Sequence, residues 1–213
     1  MIREVDLLRF PRIKREIGRR TEEHRAIARR FDEQFFDGSR DVGYGGYLDD
    51  GRWRQVAARM VLFYALKPGA RILDIGCAKG FLVRDLCALG MDAYGLDISD
   101  YAIRKSVIPE RTICGHVMEM AQWRLPSLGR SFDLVVSINT LHNLPQEPLS
   151  EVVRWLSRIT SNCYVTLDAW RDPEGEERMR AWNLTAQTMM SVEKWLLFLG
   201  HYGYFGDVWW FEP

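Results

Sequence analysis

From Trp53 onward the chain alternates two apolar patterns. Short apolar runs near 71–75, 93–97, 112–115, 132–138 and 162–168 are bounded by Gly, Pro or charged residues and read as buried strands. Between them, apolar positions three and four apart predict helices over 53–66, 80–89, 99–107 and 147–159. The first of these stops at Lys67-Pro68-Gly69, a helix-ending cluster. Beyond Asp168 the pattern predicts a charged helix over about 173–183, leaves 184–190 unassigned, and continues with a helix from near Val192 and a strand over 207–211. Strands alternating with helices specify an α/β fold with a doubly wound, mostly parallel sheet, because each parallel connection needs a crossover. Upstream, Ile13, Ile17, Ile27, Phe31 and Phe35 recur about every four residues and mark one helical face, with Pro11 and Thr21 as start signals for one or two helices. Residues 37–52 hold five glycines and two tyrosines and contribute little core. The expected organisation is therefore an N-terminal helical cap with a glycine/tyrosine-rich loop over 1–52, and a ligand-binding domain over 53–213.

Composition changes this picture little. A chain of 213 residues with 47% hydrophobic and 27% charged content suits one globular unit with a full core. Formal net charge is zero, which argues against a broad nucleic-acid surface. Charge is nevertheless uneven, since residues 1–30 carry ten Lys or Arg against five acids. That segment reads as an amphipathic extension packed on the domain, or as a cap whose arginines meet an anionic substrate. Cys77, Cys87, Cys114 and Cys163 have no C-x-x-C spacing and are expected to be reduced, packed thiols. No apolar run approaches ~20 residues, so no membrane partner is expected, and the opening Met1-Ile2-Arg3-Glu4 does not start a signal peptide. The cytoplasm is the expected location.

The most informative stretch is Arg71-Ile-Leu-Asp-Ile-Gly-Cys-Ala-Lys-Gly80, an apolar strand ending in a glycine turn before a helix. Such a turn aims free backbone N–H groups into the crevice where open α/β sheets bind ligands. A P-loop is excluded because Phe81 follows Gly80, and Gly76 to Phe81 does not fit the dinucleotide fingerprint. What the chain does carry is Asp74-x-Gly76-x-Ala78-x-Gly80, with a second acid, Asp97, closing the next apolar run 17 positions after Gly80. An acid there accepts hydrogen bonds from ribose hydroxyls and repels a 2′-phosphate. A nucleotide-like cofactor follows from this arrangement.

At these residues the sequence resembles the class I S-adenosylmethionine (SAM) dependent methyltransferases. Leu73 to Gly80 looks like their first motif, Gly95-Leu96-Asp97-Ile98-Ser99 like their second, and Phe132 to Leu144 like the fourth-strand motif. The resemblance runs from about residue 50 to the end of the chain. It implies a seven-stranded Rossmann-like sheet with helices on both faces, a last strand antiparallel to the others, SAM as cofactor and S-adenosylhomocysteine (SAH) as product. Two positions depart from it. Ala78 replaces the usual middle glycine, which a negative φ would accommodate, and His116 follows Gly115 where the family often has an acid near adenine.

The cofactor-binding set is then expected to be Asp74, Gly76, Cys77, Gly80, Asp97, Ile98, His116 and Asn139, with Tyr44 or Tyr47 packed near SAM and Arg52 pairing with its carboxylate. His142, just past the fourth strand, and Asp168, at the end of the fifth, are the candidate catalytic groups. Tyr47, Asn143, Arg171, Trp182 and Asn183 are candidate acceptor contacts. The spacing of His116, His142 and Asp168 is no metal signature, and no metal is expected. The expected activity is methylation of a polar small molecule, with an oxygen acceptor favoured over nitrogen. An RNA- or protein-directed enzyme docking through the basic N-terminal segment is an alternative, and a non-catalytic SAM-fold module a second. The sequence leaves the oligomeric state open.

Overall fold

A computed structural model describes residues 1–10, 20–119, 132–160 and 162–212. In chain order these form β1 (Arg3–Glu4), α1 (Glu22–Ala28), α2 (Glu33–Asp37), α3 (Arg52–Phe63), β2 (Arg71–Ile75), α4 (Phe81–Ala88), β3 (Asp92–Asp97), α5 (Asp100–Arg104), β4 (Thr112–Cys114), β5 (Leu134–Ile138), α6 (Gln146–Ile159), β6 (Cys163–Trp170), α7 (Pro173–Trp182), β7 (Met190–Ser191), α8 (Val192–His201) and β8 (Asp207–Phe211). Seven strands run in the order β1-β8-β6-β5-β2-β3-β4, and the two-residue β7 pairs with β6 off this path.

Every strand pairing among the described residues is parallel. Strands buried on both faces explain the unbroken apolar runs. Along β2, Ile72 enters one core with Val56, Met60 of α3 and Leu82, Leu86 of α4; Leu73 and Ile75 enter the other with Leu149, Val153 of α6 and Trp195, Leu199 of α8. That two-residue alternation places helices on both sides of the sheet. The last strand corrects an expectation. β8 is parallel to β6, with Tyr164 opposite Asp207 and Asp168 opposite Phe211. Helix α8 packs in the same core as α6 and returns the chain to the end of the sheet where β6 began, so β8 enters in the same direction.

The N-terminus closes the edge of the sheet. Arg3 grips the buried Asp207 carboxylate at 2.6 and 2.9 Å, and Tyr64 donates to it at 2.7 Å. Leu7 and Leu8 then enter the α3–α4 core. Farther on, the expected continuous face through Ile27, Phe31 and Phe35 is interrupted. α1 and α2 are separate, with Phe31 between them at φ +50°. Thr21 caps α1, as its position predicts, accepting from His24 N–H at 3.2 Å. Ile13 and Ile17 lie outside the described residues.

Candidate active site

Strand order reverses between β2 and β5: β3 and β4 lie to one side, β6 and β8 to the other. The loops leaving β2 and β5 therefore diverge and open a crevice at the strand C-termini. Gly76, Ala78 and Gly80 all sit there with positive φ, at +82°, +51° and +76°. Gly76 is obligatory on packing grounds alone, since a Cβ on it would lie 1.9 Å from Thr140 Oγ1. Ala78 contradicts the expected negative φ. Its methyl packs with Phe36 and Ala102, and that packing offsets part of the left-handed strain of about 1–2 kcal/mol.

Asp97 holds the turn. Its carboxylate accepts Ala78 N–H and Ser99 N–H, each at 2.8 Å. Asp74, the penultimate residue of β2, lies beside it. Burial, and then the charge of Asp97, pushes the Asp74 carboxyl from 3.8 up to about 7. Burial also raises Asp97, against the pull of its two backbone donors. Burial foremost, with both acids behind it, pushes the Cys77 thiol well up. Ile98, next to Asp97, is 51% exposed and offers an apolar surface at the mouth of the crevice. His116 is turned to local use, its Nδ1 accepting from Met118 N–H at 3.1 Å.

Residues 31–47 cover this half of the crevice. Phe36 packs on Ala78 and Ala102 beneath Phe31, Phe35, Tyr47 and Tyr101. The Tyr47 ring stacks on Phe81 with centroids 5.5 Å apart and planes 12° from parallel. Tyr44 packs against Phe35, Phe36 and Tyr47 and is 40% exposed. Tyr47, expected either near SAM or as an acceptor contact, thus lies on the glycine-turn side. Arg52 is placed away from the expected carboxylate role: its guanidinium pairs with Asp50 and lies over the Phe10 ring.

The other half of the crevice is a buried polar network at the ends of β5 and β6. Asn139 leaves β5 at φ +51°, its N–H bonded to Thr166 Oγ1 at 2.9 Å and its side-chain oxygen accepting from the same hydroxyl at 2.6 Å. His142, Asp168 and Asn183 are 2%, 2% and 4% exposed. His142 Nδ1 accepts from Asp168 N–H at 3.3 Å, and its Nε2 lies 3.5 Å from Asp168 Oδ2. Burial lowers the His142 pKa, and the charge of Asp168 opposes this. The Asn183 amide donates to Asp168 Oδ2, while Asn183 Oδ1 accepts from Thr185 and Ala186 N–H. Asn143 contributes its carbonyl to Gln187, and its side-chain oxygen is buried without a partner.

Three further expectations are redrawn. Arg171 is no free anion clamp, because Glu4 holds it at 2.9 Å and Glu212 lies 3.4 Å away. Trp182 packs on Phe211 at 4.8 Å, while a cavity of about 290 Å³ lies beyond β6 among Trp170, Arg171, Asp172, Glu176, Arg180 and Lys194. All four cysteines are free, but Cys114 is exposed rather than packed.

Sequence reasoning missed Lys79, Asp37 and Arg25. Lys79 bonds both oxygens of Asp37, and Arg25 donates to the carbonyls of Arg180 and Asn183. Arg25 thereby anchors α1 over the β6 half. The partners named here are remote in sequence, so these contacts leave no local signal; the one local pairing, Arg25 with Glu22 one turn earlier, does not point to them.

Residues 73–161 match the methyltransferase-domain family model. No curated protein matches the chain. Among solved structures, the YcgJ protein of Bacillus subtilis aligns at TM-score 0.53 and 16% identity over 68% of this chain and 66% of that one. Magnesium protoporphyrin IX methyltransferase (ChlM) from Synechocystis PCC 6803, with bound SAH, aligns at 0.51 and 17% identity over 74% and 78%. A SAM-dependent methyltransferase from Clostridium acetobutylicum aligns at 0.43 and 16% identity over 54% of this chain and 48% of that one, so the chain spans about half its length. Likeness at these identities shows the shared fold. Residues 73–161 thus match a methyltransferase-domain model, on a fold shared with these SAM-dependent methyltransferase structures.

Proposed function

We propose that this protein transfers the methyl group of SAM to a polar small molecule, with a hydroxyl of a sugar or natural-product intermediate as acceptor. The observation that carries the reading is Asp97. Two backbone N–H groups occupy it, and a carboxylate has about four acceptor positions, leaving capacity for a vicinal diol such as ribose. Ile98 supplies a surface for a flat base, and the turn at Gly76–Gly80 lets backbone approach the ligand where side chains would block it. Bound there, SAM supplies a methyl group on a positively charged sulfur, a good leaving group. The task left to the chain is to hold the acceptor in line and take up its proton.

His142 and Asp168 are the groups we assign to that task. In a neutral imidazole one nitrogen carries the proton and the other the lone pair. Nδ1 already accepts the Asp168 N–H, so Nε2 carries the proton and faces the Asp168 carboxylate. His142 accordingly fixes the loop and the carboxylate, and Asp168 is the proton acceptor. A small acceptor is favoured over RNA or protein because Arg20 and Arg25, in the basic segment, are spent on backbone carbonyls within the fold.

Calorimetric titration with SAM and SAH tests the reading. Micromolar binding is expected, weakened roughly 100-fold in Asp97→Ala. A folded protein that binds neither would sink it. Labelled SAM, offered with metabolite extracts or with RNA, then separates the acceptor classes.

A further inference from the structure

Lys79 lies inside the glycine turn, yet it is only 8% exposed and points at the cap. Its Nζ is 2.8 and 2.7 Å from the two carboxylate oxygens of Asp37, the last residue of α2. The same ammonium donates to the Tyr47 carbonyl at 3.1 Å, and Asp37 Oδ1 accepts the Tyr47 N–H at 3.1 Å. One ion pair therefore holds Tyr47 by both of its backbone polar groups. Tyr101 adds a hydroxyl bond to Asp37 at 2.7 Å. The Tyr47 ring, so fixed, stacks on Phe81 at the start of α4, immediately after Gly80. The acids Asp74 and Asp97 act on its hydroxyl, which burial above all holds well above its ordinary pKa.

We propose that Asp37 and Lys79 are positioning residues for the donor cleft, acting through Tyr47, whose ring they fix as the wall that closes over bound SAM. The inference rests on the SAM reading above. It assigns the lysine of the turn a part distinct from its glycines: the glycines make room for the ligand, and Lys79 ties the cap to the turn that holds it.

SAH is the probe, and dissociation rate and affinity are the readouts, with a thermal unfolding curve confirming that each variant is folded. Asp37→Asn and Lys79→Met are each expected to release SAH about ten-fold faster, with Kd raised to match. Asp37→Glu should recover much of the loss. Tyr47→Ala should give the same loss, and adding Asp37→Asn to it should cost nothing more, because coupled residues are non-additive. Fully additive losses would mean that the pair acts on general packing, and the proposal would fail. Unchanged SAH dissociation in Asp37→Asn would also overturn it. A ligand-free readout separates this from the function itself. Hydrogen exchange at the Tyr47 amide should quicken in Asp37→Asn whether or not anything binds. If the clamp loosens as expected but wild-type protein binds no SAH, the SAM reading has failed and the donor role of the clamp falls with it.

Discussion

The two halves of the crevice each bury carboxyl chemistry at strand ends, but they use it oppositely. At β2 and β3, Asp74 and Asp97 face a glycine turn, and among the described residues Asp97 accepts from two backbone N–H groups. At β5 and β6, the His142–Asp168 pair is bonded inward, with the Asn183 amide on the carboxylate and Trp195 Nε1 on the Asp168 carbonyl at 3.0 Å. The first half spends its carboxylate on the backbone of the turn; the second ties His142, Asp168 and Asn183 to one another and to neighbouring backbone. The first is thus suited to a ligand of fixed chemistry, and the second can vary its neighbours while its frame stays put.

This difference predicts opposite pH behaviour. Asp74 titrates near 3.8 when unfolded and at about 7 when folded. Between those values the native state holds a proton that the unfolded chain has lost, so stability falls as pH rises through that window. At 1.36 kcal/mol per pH unit this is at most about 4 kcal/mol. His142 has the reverse sign: its folded pKa is lowered from 6.5, so stability is lost as pH falls below that value. Unfolding curves of ligand-free protein from pH 5 to 8 check both. Asp74→Asn should flatten the loss toward high pH, and His142→Gln the loss toward low pH. If Asp74→Asn leaves the profile unchanged, the two halves do not differ as described.

A second, smaller effect separates the halves by mutation. Asp168→Ala strips the Asn183 amide and His142 Nε2 of a buried partner and should cost about 3 kcal/mol in denaturant unfolding. Asp168→Asn, which keeps the shape, should cost less. In both variants SAH affinity should stay close to wild type, because the contacts Asp168 makes with His142, Asn183 and Trp195 lie in the β5–β6 half. A parallel fall in SAH affinity would mean that the halves are one unit.

How legible these halves were in the sequence follows from the same contrast. The strand–turn–helix at 71–88 and the acid at Asp97 were readable because backbone conformation and strand ends impose residue types locally. His142, Asp168 and Asn183 were readable as positions, but the contacts among them were not, because the Asn183 amide reaches Asp168 only through the way residues 183–188 fold back. The pair of Lys79 with Asp37 spans 42 positions and leaves no pattern. Arginines misled most. A long guanidinium finds whichever acid is near in space, so Arg52 took Asp50 and Arg171 took Glu4, 167 residues away. The direction of β8 was missed because a strand's apolar run is the same read either way.

The smallest effect tests the turn itself. Ala78 sits at φ +51°, where glycine would be unstrained, and its N–H is one of the two groups that Asp97 holds. Ala78→Gly should recover about 1–2 kcal/mol of left-handed strain. Against this stand about 0.8 kcal/mol for the methyl buried against Phe36 and Ala102, and a further 0.5–1 kcal/mol for the entropy of a freed backbone. The net change should stay within about 1 kcal/mol, measured by denaturant unfolding. The cap should respond more than the sheet, since the lost methyl faces Phe36. Faster hydrogen exchange in residues 31–47, with β2 and β3 unchanged, would show that Ala78 serves the donor half as a foothold for its cover. Equal exchange throughout would mean that the methyl contributes nothing to the cap, and that glycine would serve as well there.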